Sequence, residues 1–182
     1  MLEGGVDLIQ LRAKGRAPDD VLRLATELNQ IIGKHAVPFV INDHPEIARS
    51  VKAAGVHVGQ EDAAVRAARE MAGPHAMVGK STHSIDQAIR ALYEGADYIG
   101  FGPLFATPTK PEYTPIGLEQ VGAVHEAVRI PIFCIGGIKL ENLEEVIAAG
   151  ARRVVIVSGL LQAADIASYA QSVKKLLLKS RI

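Results

Sequence analysis

Polar and charged side chains recur directly after the apolar segments of this 182-residue chain, where predicted strands end. The first set is Gln10, Arg12 and Lys14, in the segment Gln10-Leu-Arg-Ala-Lys14. Because side chains alternate along a strand, these three lie on one side. Two cations in one place predict an anionic substrate, since a guanidinium can hold phosphate oxygens bidentately. The alternative is a solvated strand end.

Two aspartates follow the next two apolar segments. Asp43 comes after Asn42, and Asp62 ends the segment Val58-Gly-Gln-Glu-Asp62. Carboxylates at neighbouring strand ends can hold Mg2+, which keeps waters and bridges to substrate phosphates. Helix capping is the alternative, particularly for Asp62, because it precedes a predicted helix beginning at Ala63. The cations on the preceding strand favour the metal and polyphosphate interpretation.

The fourth strand end carries hydroxyl groups and a histidine. Ser81 and Thr82 are candidate anion contacts, whereas Ser84 with Gln87 three residues later predicts a capping box. His83 is a candidate acid or base, although a lone loop histidine is more often a packing or hydrogen-bonding residue. His57 lies within a predicted strand and is interpreted as a hydrogen-bonded core residue.

The segment from Gly102 to Lys110 follows the apolar run Tyr98-Ile-Gly-Phe101. It is too rich in proline, threonine and charge for core packing. Thr107, Thr109 and Lys110 are therefore predicted to contact a ligand.

Glycines and a serine follow the last two predicted strands, at Gly136, Gly137, Ser158 and Gly159. Backbone N–H groups can approach a phosphate closely at such glycines, and the loops after the last two strands of α/β barrels commonly bind phosphate. A tight turn is the alternative at Gly136 and Gly137. With the early cations, these residues predict two anionic pockets and a two-substrate transfer.

Strand-length apolar runs alternate with segments of helical spacing, which predicts an α/β fold with a parallel sheet. The predicted strands are Val6–Leu11, Val37–Ile41, Val56–Val58, Ala76–Gly79, Tyr98–Phe101, Pro131–Ile135 and Val154–Val157. Glycine recurs where helices run into strands, in Leu2-Glu-Gly-Gly-Val6, Ala53-Ala-Gly-Val56, Tyr93-Glu-Gly-Ala96 and Ala148-Ala-Gly-Ala151, and is expected to end the helix there. This repeat favours a TIM (β/α)8-type barrel over an open doubly wound sheet. Only seven strands are predicted, so the first strand and helix of such a barrel are expected to be missing. Residues 1–182 are expected to form one domain.

Composition narrows the class of protein. Lysine plus arginine and aspartate plus glutamate both total 20, so no net charge favours nucleic acid or an anionic membrane. No apolar run reaches the ~20 residues of a membrane span, and no signal-peptide pattern opens the chain. A cytoplasmic enzyme with small-molecule substrates is expected. The only cysteine, Cys134, lies in an apolar run and is interpreted as a buried structural thiol.

Seven motifs together resemble the thiamine-phosphate synthase family, in order and over nearly the whole chain. They are Gln10-Leu-Arg-Ala-Lys14, Asn42-Asp43, Gly55-Val-His-Val-Gly-Gln-Glu-Asp62, Gly79-Lys-Ser-Thr-His83, Gly102-Pro-Leu-Phe-Ala-Thr-Pro-Thr-Lys110, Ile135-Gly-Gly-Ile138 and Val157-Ser158. The resemblance implies a transfer of a hydroxymethylpyrimidine group from its diphosphate to thiazole phosphate, with release of diphosphate.

The resemblance also implies a role for each matched residue. The diphosphate would be held by Arg12, Lys14, Asn42, Ser81 and Lys110. Mg2+ would be held by Asp43 and Asp62, and the pyrimidine by Gln10. The thiazole phosphate would be held by Thr107, Thr109, Gly137, Val157 and Ser158.

The chain departs from the family pattern at two further places. Lys80 stands where a small apolar residue is more usual, and His44-Pro45 replaces an arginine-containing step.

Two other functions are alternatives to the synthase. A thiazole tautomerase would use His83 as its acid–base residue but would not need the two aspartates. A non-catalytic ligand-binding or regulatory barrel would not need the polar strand ends. A homo-oligomer is compatible with the sequence.

Overall fold

The computed structural model describes residues 1–107 and 114–179. Its centre is a sheet of seven strands that neighbour one another in chain order. Every paired strand is parallel to its neighbour. The strands are β1 (Ile9–Leu11), β2 (Phe39–Asn42), β3 (Gly55–Val58), β4 (Met77–Thr82), β5 (Tyr98–Phe101), β6 (Ile132–Ile135) and β7 (Val154–Val155). The predicted α/β fold with a parallel sheet is therefore confirmed.

A helix lies between each pair of consecutive strands, and two more follow β7. The helices are α1 (Pro18–Ile32), α2 (Pro45–Ser50), α3 (Val65–Ala72), α4 (Ile85–Tyr93), α5 (Val121–Ala127), α6 (Leu143–Ala148), α7 (Ser158–Leu161) and α8 (Ile166–Lys179). Single 3-10 turns occur at Leu2–Gly4 and Leu140–Asn142. None of the helices within the described ranges is long and apolar enough to cross a membrane.

Several predicted strand boundaries were wrong. β1 begins at Ile9 rather than at Val6, and β4 continues through Lys80, Ser81 and Thr82, beyond its predicted end at Gly79. Conversely, β7 stops at Val155, because the chain turns into α7 at Ser158. The longer β4 fixes Ser81 on a strand whose backbone is paired with β5.

Both faces of the sheet are covered, which explains the near-continuous apolar strands. All four residues of β2, β3 and β5 are buried. α1 illustrates how the helices cover the sheet: it begins with Pro18, which suits the first helical position, and buries Val21, Ala25 and Ile32. Cys134 of β6 is completely buried, as predicted, and burial raises the pKa of its thiol to about 12.

Aromatic rings from neighbouring strands pack together beside the site. The Tyr98 ring lies 5.5 Å from the His57 ring and 5.4 Å from the Phe133 ring, measured between centroids. Gly79 of β4 makes room for them, since a Cβ there would lie 2.1 Å from Cζ of Tyr98. This packing fixes the side chains of His57 on β3 and Tyr98 on β5, which contact Ser81 and Gln10.

Glycines with positive φ angles follow the Leu2–Gly4 turn, α4 and α6. They are Gly5, Gly95 and Gly150, with φ angles of 74°, 85° and 107°. The same role predicted for Gly55 was wrong. Lys52 carries the positive φ after α2, and Gly55 is the first residue of β3. A Cβ at Gly55 would lie 2.2 Å from the Met77 carbonyl oxygen, so close strand packing requires glycine.

Candidate active site

The polar residues predicted on the first two strand ends lie together. The Lys14 ammonium is 3.6 Å from Oδ2 of Asp43. Asp43 directly follows β2 in the left-handed region, at φ 66°, which aspartate tolerates better than most residues. Its backbone N–H donates to the His57 carbonyl oxygen at 2.8 Å. Asn42, the last residue of β2, is buried.

The Asp43 and Asp62 carboxyl groups form a hydrogen-bonded pair. Burial raises the pKa of Asp43, and the Asp62 side chain raises it further, against the opposing charges of Lys14 and Arg12. Burial also acts to raise the pKa of Asp62, but the Gly59 N–H, the Asp43 hydrogen bond, Lys14 and Lys80 outweigh it, so its net shift is downward. Two carboxyl groups held this close create a site that attracts a cation.

Helix capping does not explain either aspartate. α2 begins after His44 and α3 begins after Ala64, and neither helix has a side-chain cap. Asp62 instead accepts a hydrogen bond from the Gly59 N–H at 2.7 Å, which closes the turn after β3. The capping alternative is therefore wrong for both residues.

A chain of side-chain hydrogen bonds crosses the sheet beneath these carboxylates. Nε2 of His57 lies 3.0 Å from the Ser81 hydroxyl, and Nδ1 lies 3.2 Å from the Tyr98 hydroxyl. The Gln10 side chain also hydrogen-bonds to the Tyr98 hydroxyl. The prediction of a buried, hydrogen-bonded His57 is confirmed, and the structure adds that its partner is a candidate site residue.

The turn between β4 and α4 is held by a cap. The Ser84 hydroxyl accepts from the Gln87 N–H at 3.2 Å, as predicted. The Gln87 side chain accepts from the His83 N–H at 2.8 Å, rather than from Ser84 itself, so the reciprocal half of the box is shifted by one residue. Nδ1 of His83 contacts the Gly102 carbonyl oxygen. His83 is thus built into the junction of two loops.

The loops after β5 and β6 are joined. The Leu104 and Phe105 N–H groups donate to the Ile135 and Gly136 carbonyl oxygens, at 2.9 and 3.1 Å. A Cβ at Gly136 would lie 2.3 Å from Cβ of Pro103, so close loop packing requires glycine there. The tight-turn alternative for these glycines therefore has a structural basis, alongside any contact with phosphate.

Only some of the residues predicted to bind the thiazole phosphate lie close together in the described part of the chain. Gly137 abuts Ala106, since a Cβ on it would lie 2.8 Å from the Ala106 carbonyl oxygen, and half-buried Thr107 follows. Ser158 is the first residue of α7, and Val157 before it is 40% exposed. Thr109 and Lys110 lie outside the described residues, so their predicted contacts remain predictions.

The donor set suits Mg2+ better than a metal that needs a protein cage. Among residues 1–107 and 114–179, no group of three or more His, Cys, Asp or Glu side chains could hold a metal ion. Mg2+ is commonly held by one or two carboxylates together with waters and substrate phosphates. The paired carboxyl groups of Asp43 and Asp62 fit that requirement.

Sequence reasoning missed two residues in this region. Tyr98 is part of an apolar run, and its hydroxyl gave no local signal. Gln60 donates to the Ser81 carbonyl oxygen and so connects the turn after β3 to β4. The signal available in the sequence was the position of Gln60 two residues before Asp62, in the segment Val58-Gly-Gln-Glu-Asp62.

Comparisons with known proteins found a matching family model, similar sequences and a similar solved structure. Residues 1–160 match the family model described as thiamine monophosphate synthase. A thiamine-phosphate synthase from Shouchella clausii is 40% identical over 172 residues, covering 94% of this chain and 82% of that protein. One from Gloeobacter violaceus is 44% identical over 161 residues, covering 88% of this chain but 47% of that protein. A solved thiamine phosphate pyrophosphorylase from Pyrococcus furiosus superposes with a TM-score of 0.90 at 32% identity, over 98% of this chain and 86% of that one.

Proposed function

This chain belongs to the thiamine monophosphate synthase family and is a transferase of thiamine biosynthesis, and we propose that the strand ends of β1 to β4 bind the diphosphate substrate. The reaction joins hydroxymethylpyrimidine diphosphate to thiazole phosphate and releases diphosphate. The observation that carries the site assignment is the contact of Lys14 with Asp43, which in turn pairs with Asp62. Cations and carboxylates meet there at one edge of a parallel sheet.

In this proposal Arg12, Lys14, Asn42 and Ser81 hold the diphosphate, and Gln10 holds the pyrimidine. The guanidinium and ammonium groups stabilise negative charge that grows on the departing diphosphate. The hydrogen bond of Gln10 to Tyr98 supports its role, because it fixes the amide in one orientation. Lys110 is proposed to reach the same diphosphate from the loop after β5.

Asp43 and Asp62 are proposed to hold Mg2+, since their paired carboxyl groups supply hard oxygen ligands at the diphosphate end of the site. When bound, Mg2+ would supply positive charge to the phosphate oxygens. Lys14, 3.6 Å from Oδ2 of Asp43, lies close enough to orient that carboxylate.

The second substrate is proposed to lie at the late strands, with its phosphate held by Thr107, Thr109, Gly137, Val157 and Ser158. The hydrogen-bonded loops after β5 and β6 support this role, because they form one rigid surface beside Gly137. The proposed reaction begins with ionisation of the pyrimidine diphosphate, and the thiazole nitrogen then captures the pyrimidine carbocation. The chain binds and aligns the two substrates and stabilises the charge on the departing diphosphate. It therefore needs no nucleophile of its own.

The proposal also covers the domain organisation, the closure of the barrel, the cellular location and the oligomeric state. Residues 1–182 form one domain, and the sheet closes as an eight-stranded barrel when one further strand lies between β1 and β7, the edge strands of the described sheet. The protein acts in the cytoplasm on small molecules. A homo-oligomer is compatible with this activity.

A direct assay tests the proposed reaction. Purified protein is incubated with hydroxymethylpyrimidine diphosphate, thiazole phosphate and Mg2+, and the release of diphosphate and formation of thiamine phosphate are measured. Product is expected only when both substrates and Mg2+ are present. Failure to form thiamine phosphate, in protein shown to be folded, would overturn the proposal.

A further inference from the structure

We propose that Lys80 is a positioning residue for the metal site, which sets the affinity for Mg2+ by fixing the turn that carries Asp62. This inference rests on the proposed metal site at Asp43 and Asp62. It concerns a residue that the substrate assignments above leave unused.

Lys80 is buried in a way that an incidental lysine is not. Only 6% of its surface is exposed, although it carries a charged ammonium group. Burying an ammonium group costs free energy unless it is paired and hydrogen-bonded. Its Nζ donates to the Gly59 carbonyl oxygen at 2.8 Å. The buried charge is therefore directed at one turn, the segment Gly59–Asp62.

The sheet register explains how Lys80 reaches this turn. Lys80 pairs with Val58 across β3 and β4, and Gly59 is the next residue after Val58. The ammonium group thus lies beside the point where the chain leaves β3. A lysine at this position can support the turn from the neighbouring strand.

Gly59 is held on both sides of its peptide backbone. Its carbonyl oxygen accepts from Lys80, and its N–H donates to Oδ2 of Asp62 at 2.7 Å. Space is restricted as well, since a Cβ on Gly59 would lie 2.6 Å from that same Oδ2 atom. Movement of the Gly59 peptide would consequently move or release the Asp62 carboxylate.

A second connection anchors the same turn to β4. The Gln60 side chain donates to the Ser81 carbonyl oxygen, one residue along from Lys80. Lys80 and Gln60 therefore hold consecutive residues of the turn against consecutive residues of one strand. Two such points restrict both the position and the rotation of the turn, which is what places Asp62 against Asp43.

The charge of Lys80 acts in the same direction as its hydrogen bond. It attracts the Asp62 carboxylate, the group that this turn carries toward Asp43. It also offsets part of the repulsion between two neighbouring carboxylates. Residues that orient metal ligands typically change metal affinity or activity by 10- to 100-fold when replaced.

The test replaces Lys80 with methionine, which matches the length of the apolar part of the lysine side chain but removes the ammonium group. Titration calorimetry with MgCl2 alone, without substrates, measures metal affinity, and the Mg2+ dependence of diphosphate release is measured separately. Lys80→Met is expected to weaken Mg2+ binding at least about 10-fold. It should raise the Mg2+ concentration for half-maximal turnover by a similar factor.

Two further variants complete the experiment. Lys34→Met changes an exposed lysine after α1 and should leave Mg2+ affinity as in the wild type. Gln60→Leu removes the other connection to β4 and should weaken Mg2+ binding in the same direction as Lys80→Met. It provides the test if Lys80→Met does not fold, as judged by thermal unfolding without metal.

Each outcome separates this inference from the proposed function. If the wild type neither binds Mg2+ nor needs it for diphosphate release, the metal site itself is wrong and the inference is overturned with it. If the wild type binds Mg2+ and the folded Lys80→Met or Gln60→Leu proteins bind it equally well, only the inference is overturned. A lower Tm with unchanged Mg2+ affinity would assign Lys80 to stability instead.

Discussion

The Nε2 atom of His57 lies 3.0 Å from the hydroxyl oxygen of Ser81, so a buried histidine on β3 holds a candidate diphosphate ligand on β4. The other ring nitrogen of His57 lies 3.2 Å from the Tyr98 hydroxyl on β5. One imidazole therefore connects three neighbouring strands. Because a serine hydroxyl rotates freely unless it is bonded, this contact selects one orientation of the Ser81 side chain.

His57→Phe should lower kcat because it keeps a ring in the same space but removes both hydrogen bonds. If the histidine acts by orienting Ser81, the effects of His57→Phe and Ser81→Ala should not add in the double variant. Contacting residues in such cycles show interaction energies of about 0.5–3 kcal/mol. The kcat and KM values of the four proteins measure the coupling, and additive effects would contradict it.

Asp43→Asn and Asp62→Asn should each lower Mg2+-dependent turnover by about 100-fold, the order expected when one charge-stabilising contact is lost. The amide keeps the shape of the carboxyl group but removes the negative charge that attracts the cation. The Mg2+ dependence of initial diphosphate release measures the effect. Asp20→Asn, at a half-exposed site on α1, is the matched control.

For Asp62→Asn the amide oxygen can still accept from the Gly59 N–H, so the turn after β3 should stay folded. Thermal unfolding without Mg2+ should therefore resemble that of the wild type. An unchanged Mg2+ dependence in both variants would show that these carboxylates are not metal ligands.

His83→Ala should keep most of the synthase activity. His83 contacts the Gly102 carbonyl oxygen and donates its N–H to Gln87, so it connects two loops. A tautomerase would instead need this imidazole as an acid–base group. Steady-state kinetics with both substrates distinguish the two, and complete loss of turnover in a folded variant would favour the acid–base role.

His125 should make stability fall as the pH is lowered. Burial lowers the pKa of His125, and the charges of Arg152 and Arg153 lower it further. The unfolded chain therefore binds the proton first, so stability is full above the unfolded pKa of about 6.5 and falls as the pH decreases below it. His125→Gln should show a smaller decrease in Tm between about pH 7.5 and about pH 5.5 than the wild type.

Exposed His35, after α1, supplies the control for this measurement. His35→Gln should retain the pH dependence of Tm seen in the wild type. Equal pH profiles for His125→Gln and the wild type would show that His125 does not contribute.

The sequence by itself determined the order of strands and helices and most of the candidate site residues. Alternating apolar segments report burial on both faces of a parallel sheet, and this signal is local. The residues after each strand, such as Asp43 and Asp62, could also be grouped from the sequence, because parallel strands end at the same edge of the sheet. Local patterns also identified the Ser84 cap correctly.

Only the tertiary structure decided which side chains meet. It showed that Asp62 bonds to Gly59 rather than capping α3, and that β4 continues through Ser81. It also joined His57 and Tyr98 to Ser81 and Gln10, and directed buried Lys80 at Gly59. Such contacts depend on the register between strands and on space left by residues such as Gly79, which no local spacing in the chain encodes.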